Sequence, residues 1–283
     1  MLPPVATTIA ETRARVAVAR KAGRRIGFVP TMGALHAGHA ALIRAARTEC
    51  DYTVVSIFVN PTQFGPNEDY ARYPRTMEAD RELCAAIGTD LIFAPTPDEM
   101  YPPDSRTLVD VSGLQEFLCG ASRPGHFRGV ATVVLKLLNI VQPDIAYFGQ
   151  KDAQQSVVIR RMVKDLNIPV TIHVHPTVRE PDGLAMSSRN RYLDPTQRMH
   201  AISLHRALIK VEELFARGER RASELEREMT GILSATPGAG LDYARIVDAE
   251  TLDAIAQIER PALAAVAVFF GNTRLIDNTL LAP

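Results

Sequence analysis

Short, continuous apolar runs alternate along this chain with longer stretches in which apolar residues recur every three or four positions. The runs at 26–29, 52–59, 90–94, 144–148 and 169–174 are rich in β-branched and aromatic residues. Runs without polar alternation predict strands of a parallel sheet buried on both faces. Helical spacing fills the intervals at 8–22, 40–50, 76–87, 129–141 and 153–166, with Gly23, Gly88 and Pro143 as stops. Strands alternating with helices imply right-handed crossovers, hence an α/β, Rossmann-like parallel sheet. The stretch 95–106 holds four prolines and reads as irregular.

Past the turn sequence Glu180-Pro-Asp-Gly183 the rhythm changes. Two helical patterns, 196–217 and 223–234, precede strand-like runs at 242–248 and 262–270 and a shorter one at 274–277. Helices followed by strands predict a smaller α+β domain. The expected division is therefore 1–180 for the Rossmann-like domain and 181–283 for a smaller α+β domain; the latter, carrying Met186 to Arg189, is expected to be a movable cover over the active site.

Composition narrows the classes of function. Among 283 residues, Lys plus Arg (32) equals Asp plus Glu (32), so the formal net charge is zero. That argues against a protein built to coat nucleic acid or an anionic membrane. Cys50, Cys84 and Cys119 form no Cys-x-x-Cys and read as reduced thiols of a cytoplasmic protein. The first residues show no signal-peptide pattern, and the apolar run at 262–270 is far short of the ~20 residues of a membrane helix.

Candidate chemistry gathers at three predicted strand ends, after Val29, Val59 and Phe148. In parallel sheets, ligands bind beyond the carboxyl ends of strands where the winding reverses. The first end carries Pro30-Thr-Met-Gly-Ala-Leu-His-Ala-Gly-His39. A Gly-bearing turn followed by a new helix offers backbone N–H groups to an anion, and His36 and His39 can face the same pocket. The second end carries Asn60 and Gln63, with Asp80 on the next helix as an oxygen ligand for Mg²⁺. The third carries Gly149-Gln-Lys-Asp152, with Gln155 one turn beyond Lys151. Met186-Ser-Ser-Arg189 offers hydroxyl and guanidinium donors for phosphate, although a serine there also suits a helix cap. Arg123-Pro-Gly-His-Phe-Arg128 is a basic turn suited to a carboxylate or phosphate. His173 and His175 share a strand face; the structural reading is preferred to a half metal site.

Six blocks in order, 30–39, Asn60-Pro-Thr-Gln-Phe64, Tyr73-Pro-Arg75, 123–129, 148–155 and Met186-Ser-Ser-Arg-Asn190, resemble the pantoate–β-alanine ligase (pantothenate synthetase) family, within the nucleotidylyl-transferase superfamily. The resemblance implies an ATP-dependent ligase, with Mg²⁺, that turns pantoate into pantoyl adenylate and then transfers the acyl group to β-alanine. It implies an ATP site of Met32, Gly33, Ala34, Leu35, His36, Ala37, Gly38 and His39. Gly149, Gln150, Lys151, Asp152, Val178, Met186, Ser187, Ser188 and Arg189 would complete that site. His39, His36, Lys151 and Arg189 would be catalytic, Gln63 and Gln155 would hold pantoate, and Asn60 and Arg123 are further substrate candidates. Asp80 would help place the metal. A homodimer is also implied. Many members carry Glu where this chain has Cys119, which is given no role.

Overall fold

Phe28, Val29, Val54, Val55, Ile92 and Phe93 are fully buried, so neither face of their strands meets water. The structure, a computed structural model, describes residues 1–66 and 68–283. These runs form the middle of a six-stranded parallel sheet of order β1-β4-β3-β2-β5-β6, built from β1 (Val5–Ala6), β2 (Ile26–Thr31), β3 (Tyr52–Ile57), β4 (Leu91–Phe93), β5 (Ile145–Gly149) and β6 (Thr171–His175). Around it run α1 (Ile9–Lys21), α2 (Ala37–Glu49), α3 (Met77–Ile87), α4 (His126–Val141) and α5 (Ala153–Asp165). Val29, Ile43, Ala46, Val55, Cys84, Ile92 and Tyr147 form one core.

Several features depart from the expected pattern, among them a short helix at Pro97–Met100 within the stretch read as irregular. β1 is two residues long, too short to show a period, and pairs with β4 at the sheet edge. β2 continues through Pro30, a residue without an N–H for the ladder. Its pairing with β5 is confined to Gly27 and Phe28, so the proline lies where β5 has already parted from β2. α4 begins at His126, ahead of the expected 129, because Gly125 adopts a left-handed φ of 81° at its N-cap.

The second sheet is antiparallel, of order β7-β8-β9, with β7 (Ala239–Asp248), β8 (Ala262–Phe270) and β9 (Thr273–Leu281). α7 (Ser203–Ala216) and α8 (Ala222–Ser234) pack on it through Leu204, Leu208, Val211, Leu225 and Met229. The continuous apolar sequence of β8 has a simple cause. Ala262, Ala264, Val266, Val268 and Phe270 face that helical core, while Leu263 and Ala265 face a second cluster with Leu118, Ala153 and Leu252. The helix expected over 196–217 is interrupted after α6 (Pro195–His200), where Leu204 bonds back to Ala201 in a tighter turn.

The chain divides into two compact units, one of residues 1–112, 123–149 and 158–176, the other of 113–122, 150–157 and 177–283. Two short earlier segments, 113–122 and 150–157, thus belong with the later unit. Among the described residues no helix is long and apolar enough to cross a membrane.

Candidate active site

The winding reverses between β2 and β5, so Thr31 and Gly149 end the two strands that flank the crevice of a doubly wound sheet. Thr31 Oγ1 donates to the Ser56 carbonyl at 2.7 Å and accepts the Gly33 N–H at 3.1 Å, starting a sharp turn. Gly33 (φ 80°) and Ala34 (φ 50°) both take left-handed backbone. The chain then enters α2 through a cap built of two histidines. His36 is the N-cap and its Nδ1 accepts the Gly38 N–H at 3.1 Å. His39 Nδ1 accepts the His36 N–H at 3.3 Å, and the ring centroids lie 4.1 Å apart. An Nδ1 that accepts a backbone N–H leaves Nε2 as the protonated nitrogen of each ring. The pair thus presents Nε2–H donors beside the positive end of a helix.

Asp80, expected to hold Mg²⁺, has another task. The residue is 2% exposed. Oδ2 accepts the Ala34 N–H at 3.0 Å, and Oδ1 accepts the Leu35 N–H at 2.8 Å and the Thr76 hydroxyl at 3.2 Å. These bonds take three of the four lone-pair positions of a buried carboxylate, which suits a turn anchor better than a metal ligand. No group of three or more His, Cys, Asp or Glu among the described residues is arranged to hold a metal ion.

After β3 the Asn60–Gln63 loop is held from beneath. Asn60 is 1% exposed. Its amide donates to Gln63 Oε1 and to the Gly129 carbonyl, both at 3.1 Å, and its Oδ1 accepts from the Tyr101 hydroxyl at 2.8 Å. Gln63 Nε2 reaches Met32 Sδ at 3.1 Å, which links the second loop to the first. α4 approaches so closely that a Cβ on Gly129 would lie 2.3 Å from the Thr62 carbonyl oxygen. Arg123 pairs with Glu68 at 2.5 Å, contacts His126 Nε2 at 3.1 Å and donates to the Gln63 carbonyl at 3.4 Å. Burial alone would raise the Glu68 pKa, but the Arg123 bond and charge outweigh it and hold the carboxyl below 4.5. Asn60 and Arg123 thus both bond the Gln63 segment. A recess of about 270 Å³ adjoins this region, lined in part by Met32, Ile57, Phe58, Tyr70, Arg75 and Asp80.

The remaining candidates belong to the other unit. Lys151 follows β5 in a short 3-10 turn, Gln150–Asp152, and its ammonium lies 3.5 Å from Asp152. Asn278 on β9 clamps this turn: its amide donates to the Gln150 and Lys151 carbonyls at 3.0 and 2.8 Å and its Oδ1 accepts from Gln150 Nε2. Next to it in sequence, buried Asp277 pairs with Arg179 at 2.5 Å. Arg179 opens a tight hairpin in which Met186 N–H bonds the Val178 carbonyl. Ser187 is a cap: its hydroxyl accepts the Arg189 N–H at 3.3 Å. Asn190 fastens the segment through Glu180 at 2.7 Å and the Ala185 carbonyl. Gln155 lies half-buried in α5. Cys119 is buried against Tyr243 Oη (3.2 Å) and Arg274 (3.4 Å). His173, by contrast, lies in the parallel-sheet unit, 3.6 Å from Glu49 and with its ring near Tyr147.

Asn278, Asp277 and Tyr101 are the residues that the sequence reading passed over. None belongs to a motif, and each acts on a segment distant in the chain. Only Asp277, a polar residue closing the strand-like run at 274–277, left a trace.

A parallel sheet whose reversal point delivers a capped helix N-terminus is the arrangement of α/β enzymes of the nucleotidylyltransferase type. The family profile described as pantoate-beta-alanine ligase matches residues 4–280, and the chain belongs to this family of ligases. It is 60% identical over 274 residues to pantothenate synthetase of Moorella thermoacetica, covering 97% of each chain. It is 58% identical over 262 residues to that of Thermotoga petrophila, covering 93% of this chain and 94% of the other. Pantothenate synthetase from Thermus thermophilus has a similar structure, with TM-score 0.94, 49% identity and 99% of each chain covered. A pantoate-beta-alanine ligase from Francisella tularensis, solved with beta-gamma ATP and beta-alanine, gives TM-score 0.78 at 37% identity, covering 98% of this chain and 97% of that one.

Proposed function

We propose that this enzyme condenses pantoate with β-alanine in two steps through the residues above. A pantoate carboxylate oxygen attacks the α-phosphorus of ATP, and pyrophosphate leaves. The β-alanine amine then attacks the acyl carbon of pantoyl adenylate, and AMP leaves with the carboxylate oxygen it gained. Attack of one anion on another is opposed electrostatically, so donors aimed at the developing charge lower the barrier. His36 and His39 supply Nε2–H donors and α2 its positive end. Lys151 supplies a mobile cation, since its partner Asp152 is 45% exposed and holds it weakly. The Met186–Arg189 segment adds a guanidinium and hydroxyls. Gln63, propped by Asn60 and Arg123, and Gln155 hold pantoate.

Mg²⁺ would be held chiefly by the triphosphate oxygens, a ligand type it prefers, and no carboxylate of this chain is assigned to it. The family resemblance also supports a cytoplasmic homodimer. Sedimentation as a single 31.0 kDa species would refute the dimer.

The histidine cap is the observation that carries this reading. His39→Asn keeps an acceptor near the Nδ1 position but deletes the Nε2–H. Pantoate-dependent ATP–pyrophosphate exchange should then fall at least about a hundredfold with the melting temperature preserved. A variant within about threefold of the parent would refute the assignment.

A further inference from the structure

The turn between β2 and α2 is held in a conformation that its sequence resists. Gly33 tolerates φ 80°, but Ala34 at φ 50° does not do so freely. Such backbone persists only where its surroundings over-determine it. Successive left-handed residues point consecutive N–H groups into one concavity, which draws an anion. Here the anion is internal. Asp80, from the first turn of α3, receives the Ala34 and Leu35 N–H groups on separate oxygens. Thr76 adds a hydroxyl to Oδ1. A Cβ at position 33 would stand 3.0 Å from Asp80 Oδ2 and from Ile57, so glycine also keeps the approach open. One residue past this concavity the chain reaches His36, the cap whose ring meets His39.

We infer that Asp80 is a positioning residue for adenylation: it acts as a built-in counter-anion that holds the Gly33–Ala34 turn and, through it, aims the His36 and His39 Nε2–H groups, without ligating Mg²⁺. The role rests on the assignment of those histidines to the ATP site. It differs from metal binding in what it leaves untouched. A metal ligand sets how much Mg²⁺ the reaction needs. A turn anchor sets kcat and leaves that requirement alone.

The test is Asp80→Asn, nearly isosteric, in which one N–H faces an NH₂ instead of an oxygen. In pantoate-dependent ATP–pyrophosphate exchange, kcat should drop at least about tenfold. The half-saturating Mg²⁺ and the pantoate KM should stay within about twofold. Adding Ala34→Gly, which relaxes the strained position, should recover at least about threefold of the lost kcat. Turnover within about twofold of the parent, recovery at raised Mg²⁺, or a double variant without recovery would each overturn the inference. Should Asp80→Asn not fold, hydrogen exchange of the parent decides. Slow exchange at the Ala34 and Leu35 amides supports the anchor, and exchange at unprotected rates overturns it. His39→Asn, assayed in parallel, separates the two readings. If it is impaired while Asp80→Asn is not, only the Asp80 role fails; if His39→Asn retains full activity, the ATP-site assignment fails first.

Discussion

Gly183 turns the hairpin ahead of Met186 at φ 96°, and a Cβ there would lie 2.1 Å from Nδ1 of His205. Gly183→Ala therefore combines backbone strain with a clash, and should destabilise its unit by roughly 2–4 kcal/mol in urea denaturation. His205 makes the same region pH-sensitive. Burial first, and the Arg179 charge second, hold its imidazole below the ordinary 6.5. Just under pH 6.5 the unfolded chain thus binds a proton that the folded chain refuses. Stability should be complete above that pH and decline as pH falls from 6.5 toward the folded value. Urea midpoints for parent and His205→Asn would check it, since the variant should lose that slope. At this scale, chemistry was legible and partnership was not. His36 and His39 stand out as imidazoles beside a glycine, yet nothing near them announces that they cap their own helix. Asp80 read as a metal ligand because a carboxylate is visible in sequence, whereas its acceptor bonds to N–H groups 45 and 46 residues away are not.

The elements that could be read from the chain are those whose own residues carry the reason for them. β3 is a continuous β-branched run, and α3 closes on Gly88 at φ 89°. Those missed depend on a neighbour: β1 exists because β4 offers an edge, and β2 outlasts Pro30 because β5 has parted from it. β9 shows how far such dependence reaches. Its Asp277 and Asn278 hold both the hairpin before Met186 and the turn of Lys151. Asn278→Ala would delete three hydrogen bonds from that turn. A catalytic group loosened by about 1 Å can lose up to roughly a hundredfold in rate. We expect Asn278→Ala to lower pyrophosphate exchange at least about tenfold while leaving circular dichroism unchanged.

Each unit of the whole molecule has its own apolar core, one under the parallel sheet and one between β8 and its helices. Leu225 is fully buried in the latter. Leu225→Ala should weaken that unit by roughly 2–5 kcal/mol. Hydrogen exchange should show the loss across β7, β8 and β9, with the β2 and β3 amides still protected; equal loss in both sheets would contradict separate cores. The change of rhythm near 180 reflects the passage from alternating strands and helices to helices followed by antiparallel strands. That 113–122 and 150–157 belong to the later unit was not legible, because short segments joined by tertiary contacts carry no period of their own.

The backbone passes between the units five times, and this has a consequence for how the protein is made. A ribosome releases every residue of the parallel-sheet unit by position 176, so that half can fold while synthesis continues. Lys151 must wait longer: Asn278, which fastens its turn, emerges more than a hundred residues afterwards. The nascent chain thus holds a finished sheet well before the Lys151 turn is locked, and a ribosome stalled short of β9 would carry an ordered sheet without that lock.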